Sequence, residues 1–308
     1  MVLAASVLLV AGTATIPSAA AANFPKSGEI SFGQFDPKLG DFSIWVANPD
    51  GSHRHRLTSV PSFFSDWSPS GGRIAYDFVN SVGEHIATIS PDGSGKRQIT
   101  FGRGIQEVPR WSPDGHTIAY DASRKLPDEP GFATDIWKIH LAGSGAERLT
   151  HGGFDVEPVF SPDGRQIAFA RIVKDADIPT VALYVMRSDG SQLRRLVPPT
   201  LGLEHPDWSP DGRWISFDIA PEVPKAAVRV VHPDGSGLHT LRPSDKRFEL
   251  FKPAWAPDGR KLLVGCHDVS AGIDKLCVMN ARGDDLHVVV ASRDPVNFPA
   301  WGSHPARR

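Results

Sequence analysis

Apolar and polar side chains alternate along this chain in short runs such as RIAYD, DIWKI, QIAFA, LYVM and RWISFD, each bounded by Pro, Asp, Gly or Ser. Alternation with a period of two, closed off by turn residues, predicts strands, because successive side chains of a strand point to opposite faces. The boundaries are as regular as the runs. Ser-Pro-Asp-Gly recurs between them, and each of its residues suits a hairpin. Proline presets the backbone angle of the first turn position, aspartate suits the next, and glycine takes the left-handed conformation that closes the hairpin.

Aligned on the aromatic before that turn, the chain reads DWSPSGGRIAYD at Trp67, RWSPDGHTIAYD at Trp111, VFSPDGRQIAFA at Phe160, DWSPDGRWISFD at Trp208, AWAPDGRKLLVG at Trp255 and a truncated AWGSH at Trp301. These aromatics lie 44 to 49 residues apart. A second phrase interleaves with the first, as NPDGSHRHRLT, SPDGSGKRQIT, LAGSGAERLT, RSDGSQLRRLV, HPDGSGLHTL and NARGDDLHVVV. A period near 45 with four short strands per unit predicts the blades of a β-propeller. The aromatics are expected to wedge between neighbouring blades, each removing about 150–250 Å² from water.

The ends of the chain predict how the ring closes. FPKSGEISFG resembles a turn and second strand with no first strand before it, while VNFPAW supplies a first strand with nothing after it. The sequence therefore predicts an all-β, six-bladed propeller of four-stranded blades, with one blade shared between the N- and C-terminal strands so that no edge is left exposed.

P-x-W-S-P-D-G-R-x-I-A-F followed by D-G-S resembles the WD40-like repeat of the TolB family over nearly the whole chain after the N-terminal apolar run. The resemblance implies a propeller that binds envelope proteins or disordered peptide segments at its channel mouth. It covers the propeller and not the additional N-terminal α/β domain of TolB. Similar repeats accompany prolyl-oligopeptidase-type hydrolases and some polysaccharide lyases.

Composition narrows the function classes. The 33 Lys and Arg against 35 Asp and Glu leave a formal charge of −2, spread along the chain, which is not the basic footprint of a nucleic-acid binder. The first 25 residues carry no charge, and VLAASVLLVAG precedes an Ala-x-Ala site. Residues 1–22 are thus predicted to be a cleaved export signal and 23–308 the propeller, placing the protein in the periplasm or outside the cell. The apolar run breaks at Thr13, Thr15 and Pro17, short of the roughly 20 residues a membrane span needs. A monomer is expected.

The two cysteines, Cys266 and Cys277, fall on consecutive strands of one hairpin, where they form either a disulfide or a pair of packed thiols. Export favours the disulfide, worth about 2–3 kcal/mol for so short a loop.

No catalytic signature is present. Gly-x-Ser-x-Gly, His-Glu-x-x-His and Cys-x-x-Cys are all missing, and DGSGKR lacks the spacing of a phosphate loop. The site is therefore sought by topology, on the face where units differ. Three residues before the aromatics come Phe64, Val108, Glu157, His205, Lys252 and Phe298, with Glu107, Glu204 and Asn297 one position earlier. Glu107, Glu157, Glu204, His205, Lys252 and Asn297 are the candidate binding residues of the channel mouth. They either grip a protein, peptide or polar ligand without a cofactor, or satisfy one another as loop residues. The alternative is a metal-assisted lyase or hydrolase acting on carbohydrate, with His151, His205 and His267 as its ligands.

Overall fold

A computed structural model describes residues 28–125, 132–142, 145–173, 179–219, 227–241, 243 and 245–305, and the described residues form strands and turns only. The expected export signal and parts of three of the divergent connections lie outside them.

The strands fall into groups of four that run antiparallel from an inner to an outer edge. In chain order, the first unit holds Gly28–Asp36, Asp41–Ala47 and His55–Arg56, with Val296–Pro305 as its inner strand. The other inner strands are Ser65–Trp67 in the second unit, Gly104–Trp111 in the third, Asp155–Phe160 in the fourth, Leu203–Trp208 in the fifth and Phe248–Trp255 in the sixth. The two chain ends share a sheet in which Ile30 pairs with Trp301. Each inner strand touches the next, and Val296–Pro305 again touches Ser65–Trp67.

The second and third units are fused. The third strand of the second unit, Gly83–Ile89, pairs in parallel with Gly104–Trp111, joining two units into one eight-stranded sheet. Gly83 faces Gly104 at this joint, and a Cβ on Gly83 would lie 2.1 Å from the Gly104 carbonyl oxygen. Only glycine lets the two backbones approach this closely.

Local chemistry explains the repeated turn. The hydroxyls of Ser68, Ser112, Ser161 and Ser209 accept the backbone N–H of Arg73, Thr117, Gln166 and Trp214 at 2.9–3.0 Å. Three of these serines donate in turn to Asp114, Asp163 and Asp211 at 2.5–2.6 Å. The turn glycines adopt φ of 67–71°. Each also faces a proline of the preceding unit, since a Cβ on Gly115, Gly164, Gly212 or Gly259 would lie 3.7–3.9 Å from Pro69, Pro113, Pro162 or Pro210 respectively. The phrase thus serves the hairpin and the seam between units together.

All six aromatics are buried, at 5–9% exposure, and each joins an apolar cluster containing residues of the unit before it. Trp67 meets Ile44 and Val46, Trp111 meets Ala75 and Ile86, and Phe160 meets Ala119 and Ile136. Trp208 meets Ala168 and Leu183, Trp255 meets Val228 and Val230, and Trp301 meets Leu263 and Leu276. Hydrophobic burial therefore acts mainly between sheets, as stacked sheets with two apolar faces require.

Cys266 and Cys277 are joined by a disulfide inside the sixth unit's core, with Cα atoms 5.9 Å apart. They sit diagonally on one sheet face, Cys266 opposite Lys275 and Cys277 opposite Val264.

Candidate functional site

Five of the six positions three residues before the aromatics share an uncommon backbone. Val108, Glu157, His205, Lys252 and Phe298 have φ between 50° and 58°, in the left-handed region that non-glycine residues rarely enter. Each of these five is followed by proline, whereas Phe64 is followed by Ser65 and is not among them. The inner strands pass through a β-bulge at this point, with register shifts at Glu107/Arg110, Val156/Val159, Glu204/Asp207 and Phe251/Ala254. A left-handed residue in a bulge re-aims its side chain at a cost of about 1–3 kcal/mol. These positions were expected on the connections entering the inner strands. All but Phe64 instead lie within the strands, because the bulge sits partway along each one.

Their side chains converge. Phe64, Val108, His205, Lys252 and Phe298 line one small cavity between the inner strands, about 20 Å³ in volume. Lys252 Nζ stands 3.5 Å from the Phe298 ring centroid, and Phe64 meets Phe298 at 4.1 Å between centroids. Glu157 completes the ring by accepting the His205 backbone N–H at 2.6 Å and facing His205 Nε2 at 3.2 Å. Glu204 is the outward member, its side chain 47% exposed. Asn297 is half-buried and accepts the N–H of Phe298.

Burial sets the protonation states. It holds the His205 imidazole down at about 4 and, despite nearby Asp218, Glu157 and Glu204, the Lys252 ammonium down at about 8. Burial also pushes the Asp218 carboxyl up to about 8 and raises Glu157. A neutral His205 with Asp218 protonated satisfies every atom. Asp218 donates to Nδ1, 3.0 Å away, and Nε2–H donates to Glu157.

Sequence reasoning missed the aspartate immediately before two of the aromatics, Trp67 and Trp208. Asp66 accepts the backbone N–H of Trp111 at 2.7 Å, and Asp207 that of Trp255 at 2.8 Å, in each case from the following unit. Arg110 lies 3.8 Å from Asp66 and offsets the burial that pushes Asp207 up to about 6. The signal was available as the Asp-Trp pair at 66–67 and 207–208.

Aspartates on the second strands add a further set of braces. Asp77 accepts the N–H groups of Phe63 and Phe64, and Asp121 that of Glu157. The proposed metal histidines are placed apart in role. His205 is held by Glu157 and Asp218, His267 pairs with Asp274 at 2.8 Å, and His151 is exposed. Among the described residues, the group whose ligand atoms all lie within 4.8 Å of one another is Asp77, Glu84 and Glu107.

The repeated inner-strand bulge and the Ser-Pro-Asp-Gly seams extend along the whole described chain, and residues 33–305 match the TolB beta propeller domain. The chain belongs to that family. A relative from Agrobacterium fabrum, an uncharacterized protein, is 29% identical over 186 residues, covering 57% of this chain and 61% of its own length. Dipeptidyl-peptidase 5 of Porphyromonas gingivalis is 30% identical over 120 residues, 37% of this chain but 17% of the peptidase. The chain thus spans less than two thirds of the length of these relatives. The crystal structure of TolB from Acinetobacter baumannii shares the fold with a TM-score of 0.74 at 19% identity, over 91% of this chain and 67% of that one. No helix among the described residues is long and apolar enough to cross a membrane.

Proposed function

We propose that this TolB-family domain is an exported, non-catalytic binding protein of the cell envelope. In this reading the six units form a closed ring of blades, and the protein engages a protein or peptide partner where the inner strands converge. The observation that carries it is the left-handed backbone repeated at Val108, Glu157, His205, Lys252 and Phe298. Strain kept at one equivalent position in unit after unit, and aimed at one place, marks a surface shaped for contact. Phe64, Phe298 and the aliphatic stem of Lys252 offer apolar area, and Glu157, Glu204, His205 and Lys252 offer polar ends. That mixture suits a polypeptide segment. TolB's own place in this family supports a protein partner.

The ring is expected to engage its partner without a cofactor. The similarity to a dipeptidyl-peptidase keeps an enzymatic role as the second reading, but the matched portion is a small part of that enzyme. Affinity capture from the protein's own cells tests the proposal. Wild type retains a partner that Lys252→Gln with Phe298→Ala releases, at unchanged secondary structure. Equal retention by both forms moves the site elsewhere.

A further inference from the structure

Beside the converging ring, where Asp77 holds the backbone N–H of Phe64 and Glu107 precedes Val108, the cleft between the second and third units gathers three carboxylates. Asp77 comes from the second strand of the second unit, Glu84 from its third strand, and Glu107 from the inner strand of the third unit. One oxygen of each lies within 4.8 Å of the others. The Gly83–Gly104 joint makes this possible, since it draws the strand carrying Glu84 against the strand carrying Glu107.

The buried end of the cluster lacks a partner. Asp77 is fully buried, and its Oδ1 takes two backbone N–H groups while Oδ2 receives none. The Glu84 carboxyl lies within hydrogen-bonding reach of Asp77, yet two carboxylates cannot bond without a proton or a cation between them. Asp121, the cross-strand neighbour of Glu107, is 1% exposed and likewise keeps Oδ1 without a donor. From outside the trio, Asp41 bears on Glu84 and Glu157 on Glu107, both acidic, and Asp77 and Glu107 bear in turn on buried Asp121. No Lys or Arg among the described residues forms an ion pair with the trio or with Asp121. Lys96 lies instead over the Phe78 ring, 4.4 Å from its centroid. Glu84 and Glu107 are half-buried, which leaves a route in from solvent.

We infer that this cleft binds a hard divalent cation, held by the carboxylates of Asp77, Glu84 and Glu107. An all-oxygen, all-anionic donor set selects Ca²⁺, Mg²⁺ or Mn²⁺ over softer metals. Because the ligands come from two adjoining units, the cation clamps the seam that the parallel joint already marks. The inference stands independently of any partner at the ring.

The test uses the whole chain, stripped with chelator and titrated with CaCl₂, then with MgCl₂ and MnCl₂, to about 10 mM, a range that covers weak extracellular sites. Calorimetry is expected to show saturable binding of one ion, with a matching rise in melting temperature. Glu84→Gln and Glu107→Gln, both near-isosteric, weaken that binding roughly tenfold or more, whereas Glu204→Gln leaves it unchanged. Absence of saturable binding to wild type with all three ions overturns the inference. So does equal binding by the Glu84→Gln, Glu107→Gln double variant. If Glu84→Gln raises the melting temperature while the ions leave wild type unmoved, a shared proton is the occupant and the inference also fails.

Discussion

The Lys252 ammonium nitrogen lies 3.5 Å from the centroid of the Phe298 ring, and the two residues occupy equivalent positions in neighbouring units. The contact joins the inner strand of the sixth unit to the inner strand supplied by the C-terminus. Burial of the side chain holds the ammonium down at about 8, and the ring is one part of that cover. Phe298→Ala is expected to return Lys252 toward the ordinary 10.5, read from the pH titration of its isotopically labelled dimethylated amine. An unmoved titration would mean that the burial comes from elsewhere. The lost contact should cost about 1–2 kcal/mol in denaturant unfolding.

Asp218 makes stability depend on pH with a definite sign. In the folded protein it keeps its proton to about pH 8, whereas its ordinary value is 3.8. Between those limits the unfolded chain binds fewer protons, so stability falls as pH rises. His205 acts in the other direction, since its value of about 4 against an ordinary 6.5 makes stability fall as pH drops through that window. Asp218→Asn keeps a donor for His205 Nδ1 and removes the alkaline loss. Its melting temperature should therefore change less than that of wild type between about pH 6.5 and 8, where His205 contributes little. Parallel curves for the two proteins would contradict this assignment.

Asp207 braces the fifth unit to the sixth through the backbone N–H of Trp255. Asp207→Ala leaves that N–H without its partner and should cost about 1–3 kcal/mol by urea unfolding. Asp207→Asn retains an acceptor and avoids burying a charge, so it should lose less. A larger loss for Asn than for Ala would show that the charge itself holds the seam.

The disulfide constrains a short hairpin within the sixth unit's core. Converting Cys266 and Cys277 together to Ser should lower stability by about 2–3 kcal/mol from the loop term alone, with a further loss for the buried hydroxyls. Its effect on unfolding should appear in hydrogen exchange first along Lys261–Asp268 and Ile273–Asn280. Uniform acceleration along the chain would argue against local control.

The repeat was legible because hairpin chemistry is local. Ser-Pro-Asp-Gly dictates its own turn, and an aromatic at fixed spacing before it implies a repeated seam, so the strands and the buried Trp67, Trp111 and Trp208 could be read from the chain. The inner bulge was not legible from side-chain type, since its residues range from Val108 to Lys252 and none is glycine. Its one signal was the proline after each left-handed residue, as in His205-Pro206 and Lys252-Pro253. The carboxylate cleft was hidden for a different reason. Asp77, Glu84 and Glu107 share no motif, and what brings them together is the Gly83–Gly104 approach, a tertiary contact between units.

If the converging inner strands form the partner-binding surface, site-specific photo-crosslinking in the protein's own cells should trap a partner there. A photoreactive residue replacing half-exposed Glu204, beside the ring, is compared with one replacing exposed Ser94 on an Asp-Gly-Ser turn. A single identifiable protein is expected to be trapped from position 204, to be absent from position 94, and to disappear when Lys252→Glu is added. Trapping from position 94 alone, or trapping from 204 that survives Lys252→Glu, would place the binding surface elsewhere.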